Sequence, residues 1–396
     1  MVLHYADFRK MVEGLPRYPH TEVLQRSPLF HRGFHGTFNS SFIEYHELSR
    51  LGGYFNHTKK DFLFSTIQSC IRFQDFPQLK TDASWMYLGA FEMGDVHGCL
   101  HFKKRPDYES MQRLQISRLF DLFKKLKIDL GRVHPTYQGG GSVREISRGK
   151  YNFDFQVPED LLSKRLFLEM GVPEENLMPD QTRDTFLSLH IHRPMPWGYR
   201  NEILISCGEK KRPRMLDCAT LEYTLWEPLY SGRPTSHNVS GLKNMKDGFS
   251  VALIGLERLC MVANGLERVQ DVDYIKPVYD YFEGITGRRD WLAVESLRAL
   301  HRIYADVENY KIGGQLGRSR MDKVKKLIGN VMDSDITLRE LEELLYINNT
   351  IQPWHDLLDG ITPLMKRVEE YSNTPMFKRK QEKKERYKRY LARMRK

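Results

Sequence analysis

The hydrophobic period of this chain changes at Gly255, and that change limits what the chain can fold into. Phe249, Val251 and Leu253 alternate as in a strand, whereas Leu256, Leu259, Cys260 and Ala263 recur at helical spacing. A strand that runs straight into a helix, set among several strand-like runs and ahead of a helical remainder, reads as part of an α+β body. Strand-like runs precede it at 67–73, 85–91, 201–207 and 219–230, the last closed by Ser231, Gly232 and Pro234. The first two read as an antiparallel pair joined by a long loop. One helix stands among them, with Met111, Leu114, Ile116, Leu119, Leu122, Phe123 and Leu126 at helical spacing before Gly139, Gly140 and Gly141 break the pattern. A second helix is expected near 158–170, with a turn at 171–175. Beyond Asp290 helical periodicity dominates, over 291–307, 318–332, 337–347 and 353–371. Thr337 with Glu340 three residues later predicts a capping box ahead of the third of these.

The formal charge of +10 is unevenly placed. Eleven Lys and Arg against Glu382 and Glu385 put +9 into the last 22 residues, so the other 374 carry about +1. The body is nearly neutral, and the tail is expected to be a charged, frayed helix. Such a tail suits nucleic-acid phosphates, with Tyr387 and Tyr390 interleaved for base stacking. The expected division is 1–290, a sheet-containing catalytic body; 291–374, an all-helical module; and 375–396, the basic tail.

No run approaches the roughly 18 apolar residues of a membrane helix, so no membrane partner is expected. The N-terminal MVLHYADFRK lacks a basic flank followed by an apolar stretch, which makes a cytoplasmic location the default expectation. Cys70, Cys99, Cys207, Cys218 and Cys260 include no CxxC pair and read as reduced thiols. His31 and His35, in a segment that Gly33 and Gly36 mark as a loop, and His190 and His192 lack further partners in sequence, so no zinc is expected.

Three local features combine into a chemical hypothesis. Arg72 closes one strand-like run, Trp85, Tyr87 and Gly89 lie on the next, and Gly255-Leu256-Glu257-Arg258 marks the strand-to-helix junction. Together and in this order they resemble the second and third signature motifs of class II aminoacyl-tRNA synthetases. Within that class the chain resembles alanyl-tRNA synthetases over roughly 60–330. The segments that carry the resemblance are STIQSCIR (65–72), WMYLGAFEMGD (85–95), GYRNEI (198–203), TLWEPLY (224–230), VALIGLERL (251–259), QDVDYIKPV (270–278), LRALHRIYAD (297–306) and GGQLGRSRMDKVKKL (313–327). A second Gly-Leu-Glu-Arg at 265–268 reads as a helix end.

The resemblance implies an antiparallel sheet flanked by helices, a helical module that reads the tRNA acceptor stem, and ATP with Mg²⁺ as cofactors. It implies that Arg72 meets the α-phosphate and Arg258 the γ-phosphate or adenine side, that Trp85 and Tyr87 line the adenine pocket, and that Gly255 lets the ligand approach. Arginine suits such a site because its planar donors match phosphate oxygens pairwise. Glu202 and Glu227 are the candidates for Mg²⁺ or ATP-side contacts, and Trp226, Glu227 and Val251 for the amino-acid pocket. Val251 stands where the family has the Asp that holds the substrate amino group, so Glu227 is the expected replacement, and the substrate is alanine or a small relative. Gln315 stands where the family has an acceptor-stem Asn. Gln315, Arg318, Lys378, Arg379 and Lys380 are the expected RNA contacts. No segment corresponds to the family's editing or oligomerising domains. The implied activity is amino-acid activation followed by transfer to tRNA. The alternatives are an adenylating ligase with a small-molecule, peptide or carrier acceptor, and an RNA-binding paralogue without catalysis.

Overall fold

The computed structural model describes residues 3–14, 21–23, 38–39, 62–101, 107–147, 151–188, 197–208, 213–232, 239–309 and 318–394. His31, His35, His190, His192 and Gln315 lie outside them. The fold is α+β, and the chain forms two compact units. One is built mainly from 91–269; the other combines 70–90 with 270–396.

In the first unit the central strands are β4 (Ala90–His101), β9 (Trp197–Cys207), β10 (Arg214–Tyr230) and β11 (Val239–Gly255). They neighbour one another in the order β4, β11, β10, β9, each pair antiparallel. β5 (Val133–Ser147) continues from β9 and pairs antiparallel with β6 (Tyr151–Glu159). β3 (Phe62–Ile71) lies on the other side of β4, with β1 (Thr21–Val23) beside it, while β2 (Phe38–Asn39) and its partners Cys70 and Ile71 at the end of β3 belong to the second unit. Two short strands, β7 (Met178–Asp180) and β8 (Phe186–Ser188), attach to β5 and β9. Helix α1 (Tyr5–Glu13) reaches β4 through the Tyr5 hydroxyl and Arg9, which both donate to Glu92.

One face of these strands is covered by α2 (Tyr108–Lys125), whose N-terminus is capped by Asp107. Gln112 donates to Asn201 on β9, and Gln115 to the Ser250 carbonyl on β11. Helix α3 (Leu161–Glu169) begins at Asp160, and this buried carboxylate accepts from Ser163 N, from Asn201 and, at 2.5 Å, from the Tyr223 hydroxyl. One side chain thus caps a helix and ties it to two strands. Trp197, Tyr199, Tyr223 and Phe186 complete the aromatic core on this face.

β9 and β10 approach so closely at Gly198 that a Cβ there would lie 1.9 Å from the Tyr223 carbonyl oxygen. Only glycine is tolerated at such a contact. β11 passes directly into α4 (Leu256–Ala263), which buries Leu256, Leu259 and Cys260 as the change of period requires. The helix stops at Asn264, and the second Gly-Leu-Glu-Arg follows it with Gly265 at φ +63°.

The second unit contains α5 (Lys276–Thr286), α6 (Trp291–Asn309), α7 (Arg318–Met332), α8 (Leu338–Thr350), α9 (Ile361–Ser372) and α10 (Pro375–Met394). α6 is its centre, buried continuously from Ala293 to Val307. His301 sits in this core, its Nε2 2.9 Å from the Leu357 carbonyl oxygen and its Nδ1 3.0 Å from Asn348 Nδ2. That arrangement selects the neutral Nε2–H tautomer, and burial lowers the imidazole pKa to about 3. The capping box at Thr337 and Glu340 is present.

Several sequence expectations need correction. Residues 85–89 are not strand. Thr81 caps a 3₁₀ turn over Asp82–Met86, the carbonyls of Ser84 and Tyr87 accept from Gln270, and β4 begins only at Ala90. Gly139 to Gly141 lie inside β5, with Gly140 and Gly141 at positive φ. The helix expected from 353 starts at Ile361. The tail is not frayed: α10 docks on its own unit through buried Phe377, which packs against Tyr371, and through Lys380 and Lys384, which donate to Asp333 and Asp335. Among the described side chains Cys70, Cys207, Cys218 and Cys260 are buried and outside any disulfide, and no helix is long and apolar enough to cross a membrane.

Candidate active site

The face of the sheet opposite α2 carries a strip of charged and hydroxylic residues. Their common placement follows from register. Glu202 lies across from Thr220, which lies across from Leu253; Arg200 lies across from Glu222, which lies across from Val251. Alternation in a strand puts each such row on one face. Arg200 Nε donates to Glu222 at 2.6 Å, with the Glu222 side chain 4% exposed. The Thr220 hydroxyl donates to Glu202 Oε2 at 2.6 Å, and the Glu202 backbone N–H donates to the Thr136 hydroxyl at 2.8 Å.

Asp217 joins the strip because of a β-bulge. Simple alternation from Thr220 would turn residue 217 toward α2. The register shifts between Asp217 and Ala219, so Asp217 pairs with Leu204, in the same row series as Arg200 and Glu202. There it meets Arg258 from the first turn of α4. Arg258 Nη1 donates to Asp217 Oδ2 at 3.2 Å and to the Asp217 carbonyl oxygen at 3.0 Å. Burial and the Asp217 charge push the Glu202 carboxyl well above the usual carboxylate range. Two carboxylates and two guanidinium groups thus converge from β9, β10 and α4, with Glu222 as a third acid within the Arg200 pair.

Gly255 stands at the head of α4 with an ordinary φ of −75°, and a Cβ there would meet nothing nearer than 3.6 Å. The chain's own packing does not require glycine at this point. Glu257, in contrast, is buried and structural: its carboxylate accepts from Glu92 N at 2.8 Å, tying α4 to β4.

The expected site residues separate into groups. Glu202, Arg258, Gly255 and Val251 belong to this face and its edge. Trp226 does not, because a second register shift between Thr224 and Trp226 pairs it with Trp197, on the aromatic face, where it packs 5.2 Å from Tyr199. Glu227 is exposed and lies across from Lys243. It is seven residues along the strand from Thr220, about 23 Å at ~3.3 Å per residue, so it cannot share an ion with Glu202.

Arg72, Trp85 and Tyr87 belong to the second unit. Arg72 follows the end of β3, its backbone N–H donating to the Gly89 carbonyl and its Nε 3.8 Å from Asp75. Buried Glu295 fixes the segment that follows Tyr87, accepting from Gly89 N at 2.8 Å, Ala90 N at 3.1 Å and the Tyr279 hydroxyl at 2.8 Å. Arg318 opens α7, but its side chain is outside those described. Lys378 and Arg379 are exposed, whereas Lys380 is paired with Asp333.

Sequence reasoning missed Arg200, Glu222 and Asp217. The first two carried a usable signal, since each is a charged residue in an otherwise buried alternating strand. Asp217 carried none, because its direction depends on a bulge.

No family model and no curated protein matches the sequence. Among solved structures, a protein described as a threonyl-tRNA synthetase from Aeropyrum pernix superposes at TM-score 0.32 and 10% identity, covering 71% of this chain and 67% of that one. A pyrrolysyl-tRNA synthetase from Desulfitobacterium hafniense gives TM-score 0.24 and 14% identity, covering 58% of this chain and 49% of that one. Identities this low assign no residue correspondence.

Proposed function

We propose that this chain activates an amino acid with ATP, forming an aminoacyl adenylate and pyrophosphate, and passes the acyl group to tRNA. The observation that carries the reading is the junction of β11 and α4, where Arg258 is held by Asp217 beside Glu202 on a sheet face. A guanidinium fixed in this way neutralises charge developing on a departing pyrophosphate without reorganising during the reaction. Asp217 orients Arg258. Arg72 belongs to the same proposal on the sequence resemblance alone, as do Trp85 and Tyr87 for adenine.

The resemblance to alanyl-tRNA synthetases leaves Val251 where a carboxylate is expected to hold the substrate ammonium. Register favours Glu222 over Glu227 as its replacement: Glu222 is directly across from Val251, is buried, and is oriented by Arg200. A compact amino acid suits this role, since the ammonium would be recognised at a buried carboxylate already fixed by a partner.

Magnesium is commonly held by one or two carboxylates together with substrate phosphates. Among the described residues no three His, Cys, Asp or Glu side chains form a metal site, but Glu202 and Asp217 supply two hard oxygen donors whose mutual repulsion a divalent cation would relieve. Those two residues would hold it, and the cation would supply further neutralisation of the triphosphate.

ATP–pyrophosphate exchange measured against each amino acid in turn tests the proposal. Exchange with one small amino acid is expected; well-folded protein that exchanges with none contradicts it. The change at Val251 favours a second reading, in which the adenylate is passed to a non-tRNA acceptor. Exchange without charging of total tRNA selects that reading.

A further inference from the structure

Helix α10 has two sides with different work. At about 100° per residue, Phe377, Lys380 and Lys384 share one side. Phe377 is 7% exposed, while Lys380 and Lys384 are bound to Asp333 and Asp335 at 2.7 and 2.6 Å. Lys384 also donates to the Asp333 carbonyl oxygen at 3.0 Å. Arg379, Lys383 and Arg386 fall within about 60° of one another on the opposite side, with Arg386 about 180° from Phe377. All three are exposed, as is Arg389 next to this arc; exposed Glu382 falls between Arg386 and Arg389 around the helix, so the side is net positive with one acid in it. The helix is therefore anchored along one edge and turns a row of cations outward.

We infer that this outward row is a rigid rail for the phosphodiester backbone of RNA. The inference rests on the tRNA-dependent reading above for the identity of the RNA, but not for the geometry. Three observations favour a polyanion over other partners. The outward side is a repeated positive charge rather than an apolar patch, so it lacks the buried core of a protein interface. Among its described side chains Phe377 is turned into the fold and Tyr387 is the one exposed aromatic, so no described apolar face stands ready to enter a lipid surface. Docking also removes the ordering cost that a flexible basic arm would incur on binding. Lys380 is accordingly an anchoring residue, and the contacts with RNA fall to Arg379, Lys383, Arg386 and Arg389.

The test uses two charge-matched double variants of the full chain and a fluorescein-labelled RNA hairpin, followed by anisotropy without ATP or amino acid. Lys383→Gln with Arg386→Gln removes two outward cations; Lys380→Gln with Lys384→Gln removes two anchored ones. Over roughly 50–200 mM salt, the outward pair is expected to weaken binding roughly tenfold and to reduce the slope of log K against log salt by about 1 to 2. The anchored pair should change the slope by much less. A third variant, Gln381→Pro, breaks the helix without changing net charge, and weaker binding is expected. Equal losses from both pairs, or undiminished binding by Gln381→Pro, would show an unstructured charge effect and overturn the rail. No RNA binding, or tighter binding to phosphatidylserine-rich vesicles than to RNA, overturns it as well. ATP–pyrophosphate exchange by the same variants separates the two claims. Exchange present with face-insensitive RNA binding removes the rail alone. Exchange absent from the wild type with the expected RNA pattern removes the catalytic reading alone.

Discussion

Forty-one residues separate Asp217 from Arg258, and a bulge makes them neighbours. Their ion pair is partly exposed, 21% for Arg258 and 39% for Asp217, so it contributes little to stability, about 0–1 kcal/mol. Its expected effect is on Arg258 as a phosphate ligand. Asp217→Asn should lower kcat/KM for ATP in the exchange reaction about tenfold, roughly 1.4 kcal/mol, while Tm stays nearly constant. A parallel fall in Tm would assign Asp217 to folding instead. Glu202 makes the opposite kind of prediction. Burial and Asp217 raise its folded pKa above the unfolded value of 4.5, so the fold is penalised as pH rises through the folded pKa and is unaffected below the unfolded one. Glu202→Gln is therefore expected to raise Tm at about pH 9 and to leave it unchanged near about pH 4, as read by differential scanning fluorimetry.

At the scale of elements, Asp160 joins α3 to β9 and β10. Asp160→Ala removes a helix cap worth ~1 kcal/mol and strands the buried Tyr223 hydroxyl and Asn201 amide, which brings the expected loss to about 3 kcal/mol in urea unfolding. A loss below about 1 kcal/mol would mean that these donors find other partners. Elements whose stability is local were legible in the sequence. The strand-to-helix passage at Gly255 and the capping box at Thr337 are examples, because period and cap lie within a few residues of one another. Elements held from a distance were not. Residues 85–89 alternate well enough for a strand, yet Gln270 and Glu295 bond their backbone and fix another conformation. The candidate site divides in the same way. Glu202 and Arg258 were recognisable from their segments, whereas Asp217 and Trp226 take their directions from two bulges that no spacing rule registers.

At the scale of the whole molecule, the +10 charge resolves into a nearly neutral body and a cationic helix with an anchored and an outward side. The helical unit carries its own acid sensitivity. His301 is neutral in the fold with its pKa lowered to about 3 against 6.5 ordinarily, so an unfolded chain binds a proton that the folded one does not. Stability from this group is full above the unfolded value and is lost as pH falls from 6.5 toward about 3. Circular dichroism melts across that interval should show Tm falling with acid, and His301→Gln should flatten that dependence while lowering Tm at neutral pH. The central claim, however, concerns catalysis at the strand-to-helix junction. Its most direct measurement is ATP–pyrophosphate exchange by the wild type and by Arg258→Ala at equal folded concentration. The account expects exchange with one small amino acid and a loss of at least about 100-fold in the variant; exchange that survives the substitution unchanged would contradict it.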